Sequence, residues 1–288
     1  KLNAEGEYDY SKLAPAIVNY INKFYPIKQS TAQNIPPQNI ALQAKIYEHP
    51  FIKYFVKELK QYDSITFNAA FNSTKNDSAL KLNILAPYIY YQQNKIHQAI
   101  VDLNSTSNQI NFVAKLDSVQ TTSSTFLNTQ AEAIVRKDSI IFDAYTKDKN
   151  NKDRYAIGVA AGIQKDAYHI HLKEKLILNN QAWTVAPNNI IFYSPMGFYA
   201  NNFDVATNQS SLHMQSKNAQ VESPINVDIK NFSIEDITSV LNQDSALASG
   251  VINGNFLLSD FEKKLPSFDG NMKIDNLFVK QNKVGNIE

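Results

Sequence analysis

The chain has 288 residues, 43% of them hydrophobic, with 28 Lys and Arg against 27 Asp and Glu and no cysteine. The charge balance gives no electrostatic footprint for nucleic acid, and the missing thiol excludes disulfides, thiol catalysis and cysteine-ligated metal. No apolar run reaches the roughly 18 residues that a membrane-spanning helix needs.

Lys1 begins in mid-pattern, without the charged and then apolar regions of a signal peptide, and Ile287-Glu288 ends inside another pattern. The sequence is therefore expected to be a segment of a longer protein. After a short alternating stretch at 3–10, the spacing of Leu13, Ile17, Ile21 and Phe24 predicts a helix over about 12–24, with Pro15 near its first turn. Residues 26–40 hold three prolines and many amides, the composition of a linker, so 1–40 reads as strand, helix and Pro-rich connection.

A strand at Leu42–Tyr47 leads to a second predicted helix over about 50–62, with Pro50 at its start and Phe51, Phe55 and Leu59 on one face. From Ser64 onward, apolar residues recur with period two. Successive series run through Ile65–Phe71, Leu80–Ile84, Ala99–Leu103, Ile110–Leu116, Thr125–Val135, Ile140–Ala144, Tyr155–Ile163 and Tyr168–Leu172. They continue through Trp183 and Val185, Ile190–Phe192, Phe203 and Val205, Leu212 and Met214, and Ile225–Ile229. About a dozen short, regularly spaced, one-sided strands mark an all-β architecture.

Most connecting segments are rich in Asn, Ser, Asp and Lys and lack glycine, so few tight two-residue turns are expected. Residues 41–232 thus read as one continuous run of strands. Ser233, three residues before Asp236, opens a third predicted helix over 233–242, with Ile234, Ile237, Val240 and Leu241 on one face. Two further strands follow to the end of 233–288, punctuated by Gly250, Gly254 and Gly270.

One-sided strands must hide their apolar faces by closing as a barrel, packing as a sandwich or curling into a trough. Eight glycines in the whole chain favour a gently curved sheet, because tight corners and bulges draw on glycine. The expected fold is mainly β: an elongated, mostly antiparallel sheet curled into a taco-like hydrophobic groove, with about three short amphipathic helices. A closed hydrophobic core would use the same alternation.

Residues that could carry chemistry are sparse. His169 and His171 share one strand face, a spacing open to metal, but the neighbouring apolar residues Tyr168, Ile170 and Leu172 place the two imidazoles toward solvent. Trp183 can be a stacking platform or core. The chain contains no G-x-S-x-G, P-loop or H-E-x-x-H motif, so no enzyme, cofactor or metal is expected.

The strings W-T-V-A-P-N-N-I at 183–190, I-N-V-D-I-K-N-F-S-I-E-D-I at 225–237, S-G-V-I-N-G-N-F at 249–256, F-D-G-N-M-K-I-D-N-L at 268–277 and V-G-N-I at 284–287 resemble the Bacteroidota branch of the TamB family, within the AsmA-like bridge-type lipid transfer proteins. The resemblance covers 183–288; the segment from Tyr10 to Leu172 matches in style alone.

The resemblance implies a periplasmic lipid-transfer scaffold that carries phospholipid acyl chains along an apolar groove between inner and outer membrane. An inner-membrane helix outside this segment would anchor it, and an outer-membrane barrel of the TamA (Omp85) type would be its partner. The alternative is an assembly module that offers free sheet edges to outer-membrane β-barrel proteins. The residues expected to line the groove are Ile65, Phe67, Phe71, Leu82, Ile84, Val101, Ile110, Phe112, Leu116, Ile140, Phe142, Ile157, Val159, Ile170, Leu172, Trp183, Phe192, Phe203, Leu212, Met214, Val227, Ile229, Ile252, Phe256, Met272 and Ile274.

Overall fold

The computed structural model describes residues 1–26, 34–122, 125–164, 167–241, 248–261, 265–279 and 282–288. Strands take 64% of the chain and helices 9%; the sheet is antiparallel and does not close on itself. This is the mainly β fold with three helices that the alternation predicts. No helix among the described residues is long and apolar enough to cross a membrane. The chain divides into two compact units, Lys1–Asn151 and Lys152–Glu288.

The first unit contains β1 (Leu2–Glu5), α1 (Tyr10–Asn22), β2 (Asn39–Ile46), α2 (Pro50–Phe55), β3 (Leu59–Tyr62), β4 (Ile65–Asn72), β5 (Leu80–Tyr91), β6 (Asn94–Ser105), β7 (Gln109–Gln120), β8 (Thr125–Arg136) and β9 (Ser139–Lys147). Hydrogen bonding runs β1–β2–β4–β5–β6–β7–β8–β9, with β3 paired to the far half of β5. From β5 to β8 the strands are 12 residues long and meander through short connections.

Helix α1 starts where Asp9 accepts hydrogen bonds from the Ser11 amide (2.8 Å) and hydroxyl (2.7 Å). These bonds hold the Asp9 carboxyl below its ordinary pKa. Its Ala16 and Tyr20, with Phe24 just past its end, pack on Phe71, Ala79 and Ile110, with Ile40, Leu80, Leu103 and Val135 at the edges of the contact. At ~1.5 Å per residue the 13-residue helix is ~20 Å long. The four strand spacings from β4 to β8 come to ~19 Å. The helix is therefore long enough to lie across the ends of five strands and cover one margin of their apolar face.

Helix α2 is shorter than its periodicity predicts. It stops at Phe55, Val56 leaves helical geometry (φ −115°, ψ 79°), and Leu59–Tyr62 becomes a strand paired with Ile89–Tyr91. Six residues of helix have too few internal hydrogen bonds to compete with a sheet edge that offers partners. The aromatic face read from Phe51 and Phe55 is also uncovered, at 61% and 68% exposed.

The expectation of few tight turns is corrected as well. Two-residue connections join β5 to β6 at Gln92-Gln93 and β8 to β9 at Lys137-Asp138. Gln92 and Asp138 take positive φ there (54° and 55°), the conformation usually left to glycine. Asparagine supplies it at many other sites, since its short polar side chain tolerates the left-handed region.

The second unit starts with β10 (Asp153–Gln164). Two short strands, β11 (Ala167–Leu172) and β12 (Leu176–Leu178), pair in tandem along it. The tandem repeats in the next rows. β14 (Ile190–Ser194) pairs with β11 and β13 (Gln181–Val185) with β12; then β15 (Gly197–Asn201) follows β14 and β16 (Phe203–Ala206) follows β13. β17 (Ser211–Ser216), β18 (Ile225–Ser233), β19 (Ala248–Ser259), β20 (Ser267–Val279) and β21 (Asn282–Ile287) complete the ladder.

Buried Asn189, 1% exposed, stitches the break between the tandem rows. Its side chain accepts from the Leu172 amide (2.8 Å) and donates to the Leu172 and Ala186 carbonyls (2.7 and 2.9 Å). These bonds satisfy backbone groups that the interrupted ladder would leave unpaired. The β12–β13 turn at Asn179-Asn180 is another two-residue connection, with both residues at positive φ.

Curl is pronounced in this unit. The Trp183 ring on β13 lies 5.4 Å from the Phe232 ring on β18, although β16 and β17 intervene. On a flat sheet, three strand spacings would keep them ~14 Å apart. Helix α3 (Ile234–Leu241) follows β18 directly, and its Asp236 is hydrogen-bonded by the Asn179 side chain. Gly254 and Gly270 lie inside β19 and β20 rather than at their ends. A Cβ on Gly270 would stand 2.4 Å from the Asn255 carbonyl oxygen, so the close approach of these strands requires glycine.

Candidate functional site

Cα partners in an antiparallel ladder send their side chains to the same face, so the register of the first unit defines rows across the sheet. One row reads Leu42, Ala69, Leu82, Leu103, Phe112, Ala133, Phe142 from β2 to β9. The next reads Ala44, Phe67, Ile84, Val101, Ala114, Ala131, Ala144. No polar side chain interrupts either row over seven strands.

The opposite face differs. Its corresponding row is Gln43, Asn68, Asn83, Asp102, Val113, Glu132, Asp143, tied in part by an Asn83 to Asp102 hydrogen bond of 2.7 Å. The rows beside it mix Leu85, Ile100, Ile134 and Ile141 with Lys81, Asn104, Asn111, Lys115 and Gln130, so the sheet carries unbroken apolar rows on one side and a mixed, interrupted surface on the other.

Cover is incomplete on the apolar side. The marginal row that contains Ile40, Phe71, Leu80, Ile110, Val135 and Ile140 lies under α1, and Phe71 and Ile110 are buried there. In the two inner rows no residue is buried: all are half-buried except Phe142, which is 38% exposed. Seven strands at ~4.8 Å and two rows ~7 Å apart give a band of roughly 29 by 14 Å, about 400 Å². That is as large as the largest apolar patch on a typical monomer, and such patches are often functional.

All of the groove residues expected in the first unit, namely Ile65, Phe67, Phe71, Leu82, Ile84, Val101, Ile110, Phe112, Leu116, Ile140 and Phe142, share this face by register. The expected lining left out Leu42, Leu103 and the alanines of these rows. Ala69, Ala114, Ala131, Ala133 and Ala144 occupy in-phase positions, and their small side chains deepen the trough between the larger ones. Their place in the period-two series was the available signal.

In the second unit Ile157, Leu172, Trp183, Leu212, Ile229 and Ile252 meet in one cluster with Val185, Val205 and Phe232. Met214, Val227 and Phe256 join Ala200 and Ile225 in the adjoining one. Val159 pairs with Leu172, Phe203 with Met214, Met272 with Gly254 and Ile274 with Ile252, so they share that face. Here many of the residues are buried against each other; Trp183 is 4% exposed, and its indole Nε1 has no hydrogen-bond partner among the described residues.

Phe192 is placed differently from its neighbours in the expected lining. It pairs with His169 on β11, whereas Ile170 pairs with Ile191, so Phe192 and Ile170 point to opposite faces. The same pairing corrects the reading of the two histidines as solvent-facing. Both are half-buried, because β14 sets Phe192 beside His169 (ring centroids 5.8 Å apart). His171 Nδ1 lies 2.6 Å from the Asn189 carbonyl oxygen. Among the described residues no group of three or more His, Cys, Asp or Glu could hold a metal ion.

Burial, followed by the nearby Glu235 charge, raises the Asp236 carboxyl above its ordinary pKa, against the hydrogen bond from Asn179. No titratable side chain interrupts the two inner apolar rows of the first unit. The arrangement can bind apolar matter along a line but offers no acid, base or nucleophile to act on it. Comparison with protein-family models, with curated proteins and with solved structures returned no match.

Proposed function

We propose that this protein is a lipid-conducting scaffold of the bacterial envelope, with acyl chains lying along the two uncovered apolar rows of residues 1–151 and headgroups beyond the margin. The observation that carries this reading is the pair of unbroken apolar rows over seven strands, left half-exposed on a sheet whose opposite face is interrupted by charged and amide side chains. An acyl chain gains by leaving water for such a surface, at ~25 cal/mol per Å² of apolar area removed. Because neighbouring positions along a row are chemically alike, no position holds the chain strongly, and movement along the row is passive sliding. The resemblance of 183–288 to the TamB family adds the periplasm and phospholipid transfer between the two membranes to the proposal.

The test is site-specific photocrosslinking in cells. A benzophenone side chain at Phe112, on the apolar face, should capture phospholipid; the same group at Val113, on the opposite face, should not. Equal capture at both positions, or lipid at neither, would overturn the reading. A charge at Phe112 should block transfer while leaving the melting temperature within a few degrees of the parent.

A further inference from the structure

At the C-terminal end of α1 the margin of the apolar face adjoins a pocket of about 670 Å³ lined by Tyr20, Lys23, Phe24, Asn76, Ser107, Asn108, Arg136, Lys137 and Ser139. Three of these residues are cations, five offer hydroxyl or amide groups, and none is a carboxylate. The walls are set by the fold. The β8–β9 turn is pinned to the helix by the Asp138 amide donating to the Phe24 carbonyl (2.7 Å), which brings Arg136 and Lys137 to the end of α1.

Lys23 is the C-cap of α1, and its ammonium stands over the Tyr20 ring, 5.2 Å from the centroid, within the pocket wall. Arg136 and Lys137 add two further positive charges to the same pocket. Arg136 spends its Nε on the Gln109 side chain (3.0 Å), which orients the guanidinium and leaves its terminal nitrogens available. The wall also contains Tyr20, 3% exposed, whose hydroxyl has no hydrogen-bond partner. Tyr20 and Phe24 pack on Phe71 and Ile110, the covered row next to the open ones.

We propose that this pocket receives the phosphate of a lipid headgroup whose acyl chains lie in the adjacent trough. The three cations would neutralise the phosphate, with Ser107, Ser139 and the amides as further donors. The proposal rests on the groove reading for the acyl chains but not for the phosphate. It selects phosphate-bearing amphiphiles over neutral ones and places their headgroups on the margin that α1 covers.

The experiment is titration calorimetry on the full chain with three soluble probes: dihexanoyl phosphatidylglycerol, glycerol phosphate, and a neutral six-carbon diacylglycerol. The expected result is that the phospholipid binds most tightly. The K23Q/R136Q/K137Q variant should weaken it at least ~tenfold, equivalent to ~1.4 kcal/mol, while its affinity for the diacylglycerol is unchanged. Glycerol phosphate bound as tightly as the phospholipid, and lost in the variant, would support the phosphate pocket and overturn the groove. Phospholipid affinity unchanged in the variant would overturn the pocket and leave the groove standing. Matched melting temperatures of parent and variant exclude misfolding, and K137Q alone, at an exposed turn position, should give a smaller loss in the same direction.

Discussion

In residues 1–151 the inner apolar rows stay half-exposed beside a helix that covers a single margin. In residues 152–288 the corresponding side chains fold onto one another, so that Trp183 and Phe232 touch across three strand spacings. Both units use alternating strands of similar composition, and the difference lies in how the strands are cut. In the first unit the long strands carry the two inner rows unbroken from β2 to β9, with the β8–β9 register shift between Leu127 and Gln130 lying outside them, and so make a broad face. Tandem short strands, register shifts at Ile229/Phe232 and Ser249/Val251, and glycines inside β19 and β20 give the second its curl, since bulges and glycine both sharpen twist. An open lining is thus a property of strand length and register, with residue type setting only which face is greasy.

The largest expected effect tests that contrast directly. Trp183→Ala removes a large ring from a closed cluster and should cost about 3–5 kcal/mol in urea unfolding. Phe112→Ala removes a half-exposed ring with little packed over it and should cost about 1 kcal/mol. If the two losses are equal, Phe112 is as well packed as Trp183 and the first unit is not open. Trp183→Phe should cost less than Trp183→Ala and return part of its loss, because it also removes the unpartnered indole N–H.

Next in size is Gly270→Ala. The added carbon would meet the Asn255 carbonyl oxygen at 2.4 Å and the Phe256 Cα at 2.6 Å, at a φ of +150°. Only strand separation relieves such a clash, so a loss of about 2–4 kcal/mol is expected. Gly285→Ala, with nothing within 4 Å of the new carbon at φ +107°, should cost about 1 kcal/mol from backbone strain alone. Similar costs at both positions would mean that the close approach of β19 and β20 does not create the curl.

Much of this contrast was not legible in the residues. The period-two series located most strands and the apolar face of the first unit, because alternation depends only on which side of a strand a residue occupies. It missed β3, β12, β15 and β21, since the few residues in each show no clear alternation of apolar and polar side chains. It put Phe192 with Ile170 because the faces of separate short strands are linked only by register, which depends on pairing partners distant in sequence. Tight turns went unseen because Asn, Asp and Gln take the left-handed positions where glycine was sought. The cationic pocket joins Lys23 to Arg136 and Lys137 across more than a hundred residues, a proximity that no local pattern encodes.

The smallest effect concerns the contact of α3 with the β12–β13 turn. Burial raises the Asp236 pKa, and Glu235 adds to it, so between the ordinary carboxylate value of ~3.9 and the raised one the folded state binds more protons than the unfolded chain. Stability therefore falls as pH rises through that window, and the penalty is constant above it. Asp236→Asn keeps the side-chain size and removes the titration. The stability of the variant relative to the parent should accordingly increase slightly from about pH 3 to about pH 7. The attraction of a first-turn carboxylate to the α3 N-terminus acts in the opposite sense. A relative stability that instead declines with pH would show that this attraction exceeds the burial cost, and that Asp236 strengthens the link between α3 and the β12–β13 turn in its charged form.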